Sequence, residues 1–369
     1  MFRRLEIAVI LVCILATLGL YAESQRMNRQ AAETEFNRIT ENSVQALQTR
    51  LNTYLQSLNS AAGMIRAVED ATFDDFETLV QSLDLQTHLP GINGIGFIAP
   101  VAQNEVADFV AEIRENEMPG FAPHPETDTA EKYIIKYIAP LGPNRQALGL
   151  DISFEQGRRT AADRARETGL PQLTPRILLV QDDAKTPGFL LLRPVYNRAN
   201  ERDSGFRGWV YAPFIGRNLL ADLTTTQDKV YEFEVFDGAL AEPEMLIFSS
   251  GVSDDGIGQY SDRITVEFYG RPWTIVYHST PAFDRVFANH GSLIILIAGF
   301  LLSAMLAYVL RAMRLHGTSM SEIASLRGRQ ISAQEDQNRS LVENAVVAVM
   351  ILDQEGSILF ANHAAIDCF

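Results

Sequence analysis

The sequence of 369 residues is 47% hydrophobic and sets 46 Asp and Glu against 31 Lys and Arg, a formal net charge of -15. That length leaves room for two or three domains of ~100 to 200 residues, each able to bury a core. The acidic balance excludes a general nucleic-acid binder, because phosphate recognition needs a basic face that releases counterions.

Two apolar runs divide the chain. Residues 5–22 (LEIAVILVCILATLGLYA) carry one charge, Glu6, and residues 292–310 (SLIILIAGFLLSAMLAYVL) carry none. Each is near the length that spans ~30 Å of hydrocarbon, so both read as transmembrane helices. The basic start Arg3-Arg4 also suits a cleaved signal peptide. The long apolar run, with no small-x-small site after it, favours an uncleaved anchor. Basic flanks at Arg3-Arg4 and at Arg311 and Arg314 put both termini in the cytoplasm. Residues 23–290 are then periplasmic or extracellular, in a two-pass protein of the cell inner (plasma) membrane in contact with membrane lipid. Cys13 and Cys368 both fall outside that segment, so it has no disulfide framework and must be held by its core.

In the exported segment, Leu47, Leu51, Tyr54, Leu58, Ala61, Ile65 and Val68 recur at alternating gaps of four and three, one stripe along a helix. A stalk helix over 23–72 is expected. Its stripe packs either on its own domain or on a partner helix across the axis of a homodimer. Short runs rich in β-branched and aromatic residues follow: INGIGFIAPV, KYIIKYIAPL, QALGLDI, RILLVQ and GFLLLRPVY. Helices are expected between them at 104–117 and 154–167. KVYEFEVFDG, EMLIFSSG and DRITVEFYGRPWTIVYHS form a second, smaller set of strands. The fold class is α+β, with two α/β lobes in series at 73–220 and 221–290. The second span occupies 291–313, a cytoplasmic signalling helix 314–340, and a last segment 341–369.

PGINGIGFIAPV, YIAPLGPNRQALGLDI, RRTAADRARETGLPQLTPRILL and FLLLRPVY, in that order and spacing, resemble the extracellular sensory module called the CHASE domain, over about residues 83–220. Where the family often has Glu before the Pro of its second motif, this chain has Ala139-Pro140. The resemblance implies two PAS-like lobes on a long helix and a small-molecule pocket in the membrane-distal lobe. Plant members bind cytokinins. A cytokinin-like, or other planar or amphipathic, ligand is therefore the expected partner, with no cofactor and no nucleic acid.

In the Arg-rich helix, Ala161, Ala162 and Ala165 make a narrow strip suited to close approach to a sheet, and Thr168-Gly169 and Pro171 end it. Arg158, Arg159, Arg164 and Arg166 are expected to face water or acids such as Asp163 and Glu167, and Asp151 to end a strand or cap a helix. Tyr133, Ile135 and Tyr137 alternate along one strand and so share a face, which Leu148, Leu178, Leu190 and Leu192 complete as an apolar wall. Thr174, in QLTP, matches a pocket position of the family. The expected ligand-binding set is thus Tyr133, Ile135, Tyr137, Leu148, Thr174, Leu178 and Leu192, each of which also suits simple core packing.

No catalytic motif occurs: the sequence lacks H-E-x-x-H, a Walker loop and G-x-S-x-G. HPETD at 124–128 reads as a polar loop, and Gly91, Gly94 and Gly96 precede a strand, which argues against a dinucleotide loop. The fragment is expected not to be an enzyme and to hold no metal. SLVENAVVAVMILDQEGSILFANHAAIDCF resembles the opening of a truncated PAS domain. A two-component histidine kinase or a GGDEF/EAL enzyme is the expected parent output. The sequence therefore reads as a transmembrane sensory receptor. A membrane-anchored binding or adhesion module without signalling is the alternative.

Overall fold

The computed structural model describes residues 2–368 apart from 69, 90, 180–185, 199–200, 221–229, 252–255, 289 and 354. Its contacts divide the chain into two compact units, Asn28–Ala288 and Met1–Met27 with Asn289–Phe369. Helix α1, Phe2–Ala67, is continuous. Past it, Thr72 opens α2, Phe73–Ser82, with a capping box: its hydroxyl accepts from the Asp75 N–H while the Asp75 carboxylate accepts from the Thr72 N–H.

Two antiparallel sheets form the 28–288 unit. The larger is built from β1 (Ile95–Ala102), β2 (Glu131–Ala139), β3 (Gln172–Leu173), β4 (Ile177–Leu178), β5 (Pro187–Arg198) and β6 (Glu201–Ile215) in the order β2-β1-β6-β5-β3, with β4 also on β5. The smaller contains β7 (Tyr231–Asp237), β8 (Leu246–Ser249), β9 (Ser261–Phe268) and β10 (Arg271–Ser279) in the order β8-β7-β10-β9. The expected strand QALGLDI is instead a 3-10 turn, Arg145–Ala147, followed by residues that bridge to β2 and to His124. RILLVQ is reduced to β4, its last two residues lying outside the described ones.

The α1 stripe belongs to this unit's own core. Leu47, Leu51, Tyr54, Leu58, Ala61 and Ile65 are at most 2% exposed, and the stripe stops there, because Val68 is 41% exposed. These residues join one core with Phe97, Val210 and Phe214 of the larger sheet and Phe233, Trp273 and Tyr277 of the smaller. Tyr54 stacks on Phe214 at 5.1 Å, and Phe36 meets Phe283 edge-on at 5.4 Å. Polar contacts fix the register: Arg50 Nη1 donates to Leu219 O at 2.6 Å, and Thr40 Oγ1 to Asp262 Oδ2 at 2.6 Å. The reading of the stripe as a dimer seam is therefore corrected; a helix face this deep in its own domain is closed to a partner.

The larger sheet is covered on both faces, so its strands read as nearly unbroken apolar runs. Phe189, Leu191, Val210 and Ala212 face α1, whereas Leu190, Leu192, Trp209 and Tyr211 face a second core. That second core is roofed by α6, Gln156–Thr168; the intervening helices are α3 (Leu85–His88), α4 (Val106–Asn116) and α5 (Leu141–Asn144).

In the other unit, the first part of α1 and the helix His290–Glu343 are long and apolar enough to cross a membrane. Leu11, Val12, Leu15, Leu301, Leu302 and Met305 point outward. Gly299 lies against Thr17, where an added Cβ would meet Thr17 Cγ2 at 2.2 Å, so the two helices pack at backbone distance. Gln25 Nε2 donates to Ser292 Oγ at 2.8 Å and Arg314 meets Glu6 at 3.2 Å. A hairpin follows, Met350–Leu352 with Ile358–Ala361, held by the fully buried Asn362 side chain, which accepts from Val349 N and donates to Val342 O and Val347 O.

Candidate ligand site

Strand β2 decides what can gather on the α6 side of the sheet. Phe97 pairs with Tyr137 but Ile98 pairs with Ile135, so Lys136 is an extra residue, a β-bulge. One extra residue reverses the alternation beyond it. Tyr133 and Ile135 face α6, whereas Tyr137 faces α1 among the rings of Phe73, Phe76 and Phe97. The expectation that Tyr133, Ile135 and Tyr137 share one face is corrected. The Tyr137 hydroxyl donates to Ala71 O at 2.7 Å or Glu117 Oε1 at 2.8 Å, tying the connection between α1 and α2 to the sheet.

Other members of the expected set separate as well. Leu148 follows the 3-10 turn and packs, half-buried, on the α1-side core, and Gly149 at φ 83° turns the chain so that Leu150 enters the α6 side instead. Leu178, on the short edge strand β4, is 47% exposed. Thr174 is buried, and its hydroxyl accepts from Leu190 N at 2.9 Å while its N–H donates to Leu190 O at 3.0 Å. It thus closes the sheet edge beside the group formed by Tyr133, Ile135, Leu190 and Leu192.

The roof of this group is α6. Glu155 caps it, accepting from Gly157 N and Arg158 N, and Gly169 ends it at φ 71°. Ala161, Ala162 and Ala165 lie on the sheet, close enough for Trp209 Nε1 to donate to Ala162 O at 2.9 Å. Arg159 and Arg166 behave as expected: Arg159 is 3.8 Å from Asp163 and lies over the Tyr133 ring, and Arg166 pairs with Glu131 at 2.9 Å. Arg164 is exposed. Arg158 departs from the expectation. It stands one turn before Ala161 and Ala162, on the same face, and is only 4% exposed.

The polar groups enclosed here differ in how well they are satisfied. Asp151 has no exposed surface and accepts from Tyr133 N, Ser153 N, Ser153 Oγ and Thr127 Oγ1, the last supplied by the HPETD loop. Burial raises its pKa, but those hydrogen bonds outweigh burial and hold the carboxyl below its ordinary value. It serves as the cap of the turn Ile152–Phe154. The Tyr133 hydroxyl donates to Asp163 Oδ1, and burial pushes its pKa up.

Arg158 and Tyr211 each have one atom that is not satisfied. Arg158 Nη2 donates to Leu178 O at 2.8 Å, and its Nε lies 3.4 Å from Glu155 Oε2 without hydrogen-bond geometry. The Tyr211 hydroxyl, in a side chain 1% exposed, has no partner. Among the described residues these are the buried side-chain nitrogen and oxygen atoms left without a hydrogen bond. Burial pushes the Tyr211 pKa up, keeping it a neutral donor, and lowers that of Arg158, with Glu155 opposing. Gly96 makes this arrangement possible, since its strand position pairs with Tyr211 and an added Cβ would lie 2.4 Å from the Tyr211 ring. Two donors facing an apolar group suit a ligand with an acceptor atom on a planar or apolar body. No cluster of three or more His, Cys, Asp or Glu placed to hold a metal occurs among the described residues.

Arg158, Trp209 and Tyr211 were not in the expected set. The signal for Arg158 was present, in its seven-residue spacing from Ala165; that for Tyr211 was its alternation with Trp209 and Val210.

Solved structures similar to this chain include the extracellular ligand binding receptor from Desulfohalobium retbaense DSM5692, at 15% identity and a TM-score of 0.44. That match covers 67% of this chain, which spans only 40% of the receptor's. The periplasmic sensory domain of the Campylobacter jejuni chemoreceptor Tlp1 is 11% identical, with a TM-score of 0.44 and coverage of 69% and 97%. The ligand-binding domain of the Pseudomonas aeruginosa PAO1 amino acid chemoreceptor PctC, in complex with GABA, is 8% identical, with a TM-score of 0.41 and coverage of 67% and 98%. No curated protein matches the chain. The family model of the CHASE domain matches residues 69–248, the span that holds the larger sheet, α6 and the two unsatisfied donors. Residues 69–248 of this chain, just under half of it, thus carry a CHASE domain.

Proposed function

We propose that this chain is the sensory part of a two-pass membrane receptor. Residues 23–290 form its exported segment, with PAS-like lobes at 73–220 and 221–290 on a stalk helix, and the receptor acts as a homodimer. A small ligand binds between α6 and the larger sheet, taking hydrogen bonds from Arg158 and Tyr211 against Tyr133, Ile135, Leu192 and Trp209, with Thr174 at the rim. The signal leaves through α1 and the helix His290–Glu343 to a cytoplasmic output outside these residues, of the histidine kinase or GGDEF/EAL class.

The observation that supports this reading is two buried atoms, Arg158 Nε and the Tyr211 hydroxyl, that make no hydrogen bond within the CHASE domain. An unpaired buried polar group costs ~1 to 3 kcal/mol, a cost that an acceptor atom of a bound ligand would offset. The test is to melt the full chain in detergent against small planar and amphipathic compounds, a cytokinin among them. A true ligand stabilises the wild type saturably and loses that effect in Tyr211→Phe. Equal stabilisation of both proteins would overturn the site.

A further inference from the structure

A concavity lies elsewhere in the 28–288 unit, where the ends of the two sheets meet. It is a cleft of about 370 Å³ lined by Arg176, Thr186, Pro187, Arg217, Pro243 and residues 246–249. Next to it, α7 (Gly216–Leu220) packs tightly on β8: a Cβ added to Gly216 would lie 2.6 Å from Ile247 Cγ2. Pro243, Leu246, Ile247 and Phe248 supply apolar side chains to one wall.

The charge of this cleft runs against that of the chain. In a protein of net charge -15, two guanidinium groups line it, and none of its described lining residues is acidic. Arg176 is held at two points, its backbone N–H donating to Asp237 Oδ2 at 2.8 Å and its guanidinium Nε to Leu246 O at 3.0 Å. Asp237 is itself engaged by Arg271 at 2.6 Å, so its charge is already countered. Arg217 is exposed. A planar guanidinium fixed at its Nε presents its remaining N–H groups in a fork that matches a carboxylate.

We infer that this cleft is a second ligand site, separate from the one beneath α6, and that it takes a small organic anion: a carboxylate head on Arg176 and Arg217, and an apolar body on Pro187, Pro243, Leu246 and Phe248. Its walls come from both sheets, so an occupant ties their ends together. The inference does not depend on the ligand reading of Arg158 and Tyr211.

The test uses the full chain in detergent, titrated with benzoate and 3-phenylpropionate as probes, benzamide as the uncharged control, and melting temperature and calorimetry as readouts. Saturable binding of a carboxylate but not of benzamide is expected, weakened at least about tenfold in Arg217→Gln. Binding unchanged in Arg164→Gln, on the exposed side of α6, and in Tyr211→Phe completes the expected result. Arg176→Gln also loses its bond to Leu246 O; if it fails to fold, Arg217→Gln alone keeps the decision. Absence of saturable binding to both carboxylates, equal binding of benzamide, or equal losses in Arg217→Gln and Arg164→Gln would overturn the inference. A loss confined to Tyr211→Phe would overturn it too, by moving the carboxylate to the site under α6.

Discussion

Tyr211→Phe separates a ligand donor from a structural one before any ligand is found. In the unliganded protein the hydroxyl is buried and unpaired, so it costs about 1 to 3 kcal/mol of desolvation that folding does not recover. Removing it leaves a void of about 10 Å³, which at ~24 cal/mol per Å³ costs only about 0.2 kcal/mol. The ring keeps its contacts above Gly96 and beside Trp209. The variant should therefore be more stable than the wild type by about 1 kcal/mol or more, a rise of roughly 2 to 4 °C in melting temperature for a unit of this size. Urea unfolding of the full chain in detergent, without additives, measures it. The hydroxyl stays neutral well past physiological pH because burial pushes its pKa up, so the difference should not change between mildly acidic and mildly basic buffers. A loss of 1 kcal/mol or more would refute the reasoning, since it would mean that the hydroxyl makes a hydrogen bond that the fold requires.

Leu58→Ala, in the α1 stripe, should cost about 2 to 5 kcal/mol in urea unfolding, while Asn59→Ala one residue on, which loses only the contact from Arg193, stays within about 1 kcal/mol; equal effects would contradict the packing of α1. Gly96→Ala should abolish soluble folding or cost several kcal/mol, because its Cβ would lie 2.4 Å from the Tyr211 ring and 2.6 Å from Tyr137 O, and a normal melting curve would show that the strands part more easily than that. Asp151 has a folded pKa below its unfolded value, so its stabilisation is complete above the unfolded value near ~4 and is lost as pH falls through the folded one; the stability gap between wild type and Asp151→Asn should shrink below about pH 4. A gap constant down to pH 2 would assign the effect to shape and not to charge. A reporter fused after Ser250 should be exported and one after Arg329 retained, as the basic flanks require, and finding Ser250 inside the cell would remove the sensor reading.

Local patterns carried much of the architecture. The spacing of Leu47, Leu51, Tyr54 and Leu58 announced a helix with one buried face, and the Gly, Pro and Asn boundaries of GFLLLRPVY announced a strand. What those patterns left open was the partner, since an apolar stripe has the same appearance whether it meets its own sheet or another chain. The site was less legible. Its composition was visible in Tyr133, Ile135 and Leu192, but the bulge at Lys136 depends on pairing with β1, through Ile98–Ile135 and Phe97–Tyr137, residues 37 and 40 apart, which no alternation within β2 encodes. Arg158 was misassigned because charge suggested water, whereas its position one turn from Ala161 and Ala162 put it under the helix. For Leu148 the error came from a turn: Gly149 at φ 83° breaks the extended geometry that the run QALGLDI suggested.

Strand β2 is the outermost strand of its sheet, and outermost strands offer a row of free N–H and C=O groups to which another molecule can add a strand. Here that row is interrupted. Ile135 N donates to Leu150 O, and its carbonyl accepts from Gly149 N, so a short piece of the same chain occupies the rim. Immediately beyond, the extra residue Lys136 bends the strand and sets an ammonium group 3.9 Å from Glu117. The irregularity that turns Tyr137 away from α6 therefore also works with that covering segment against strand addition at this edge.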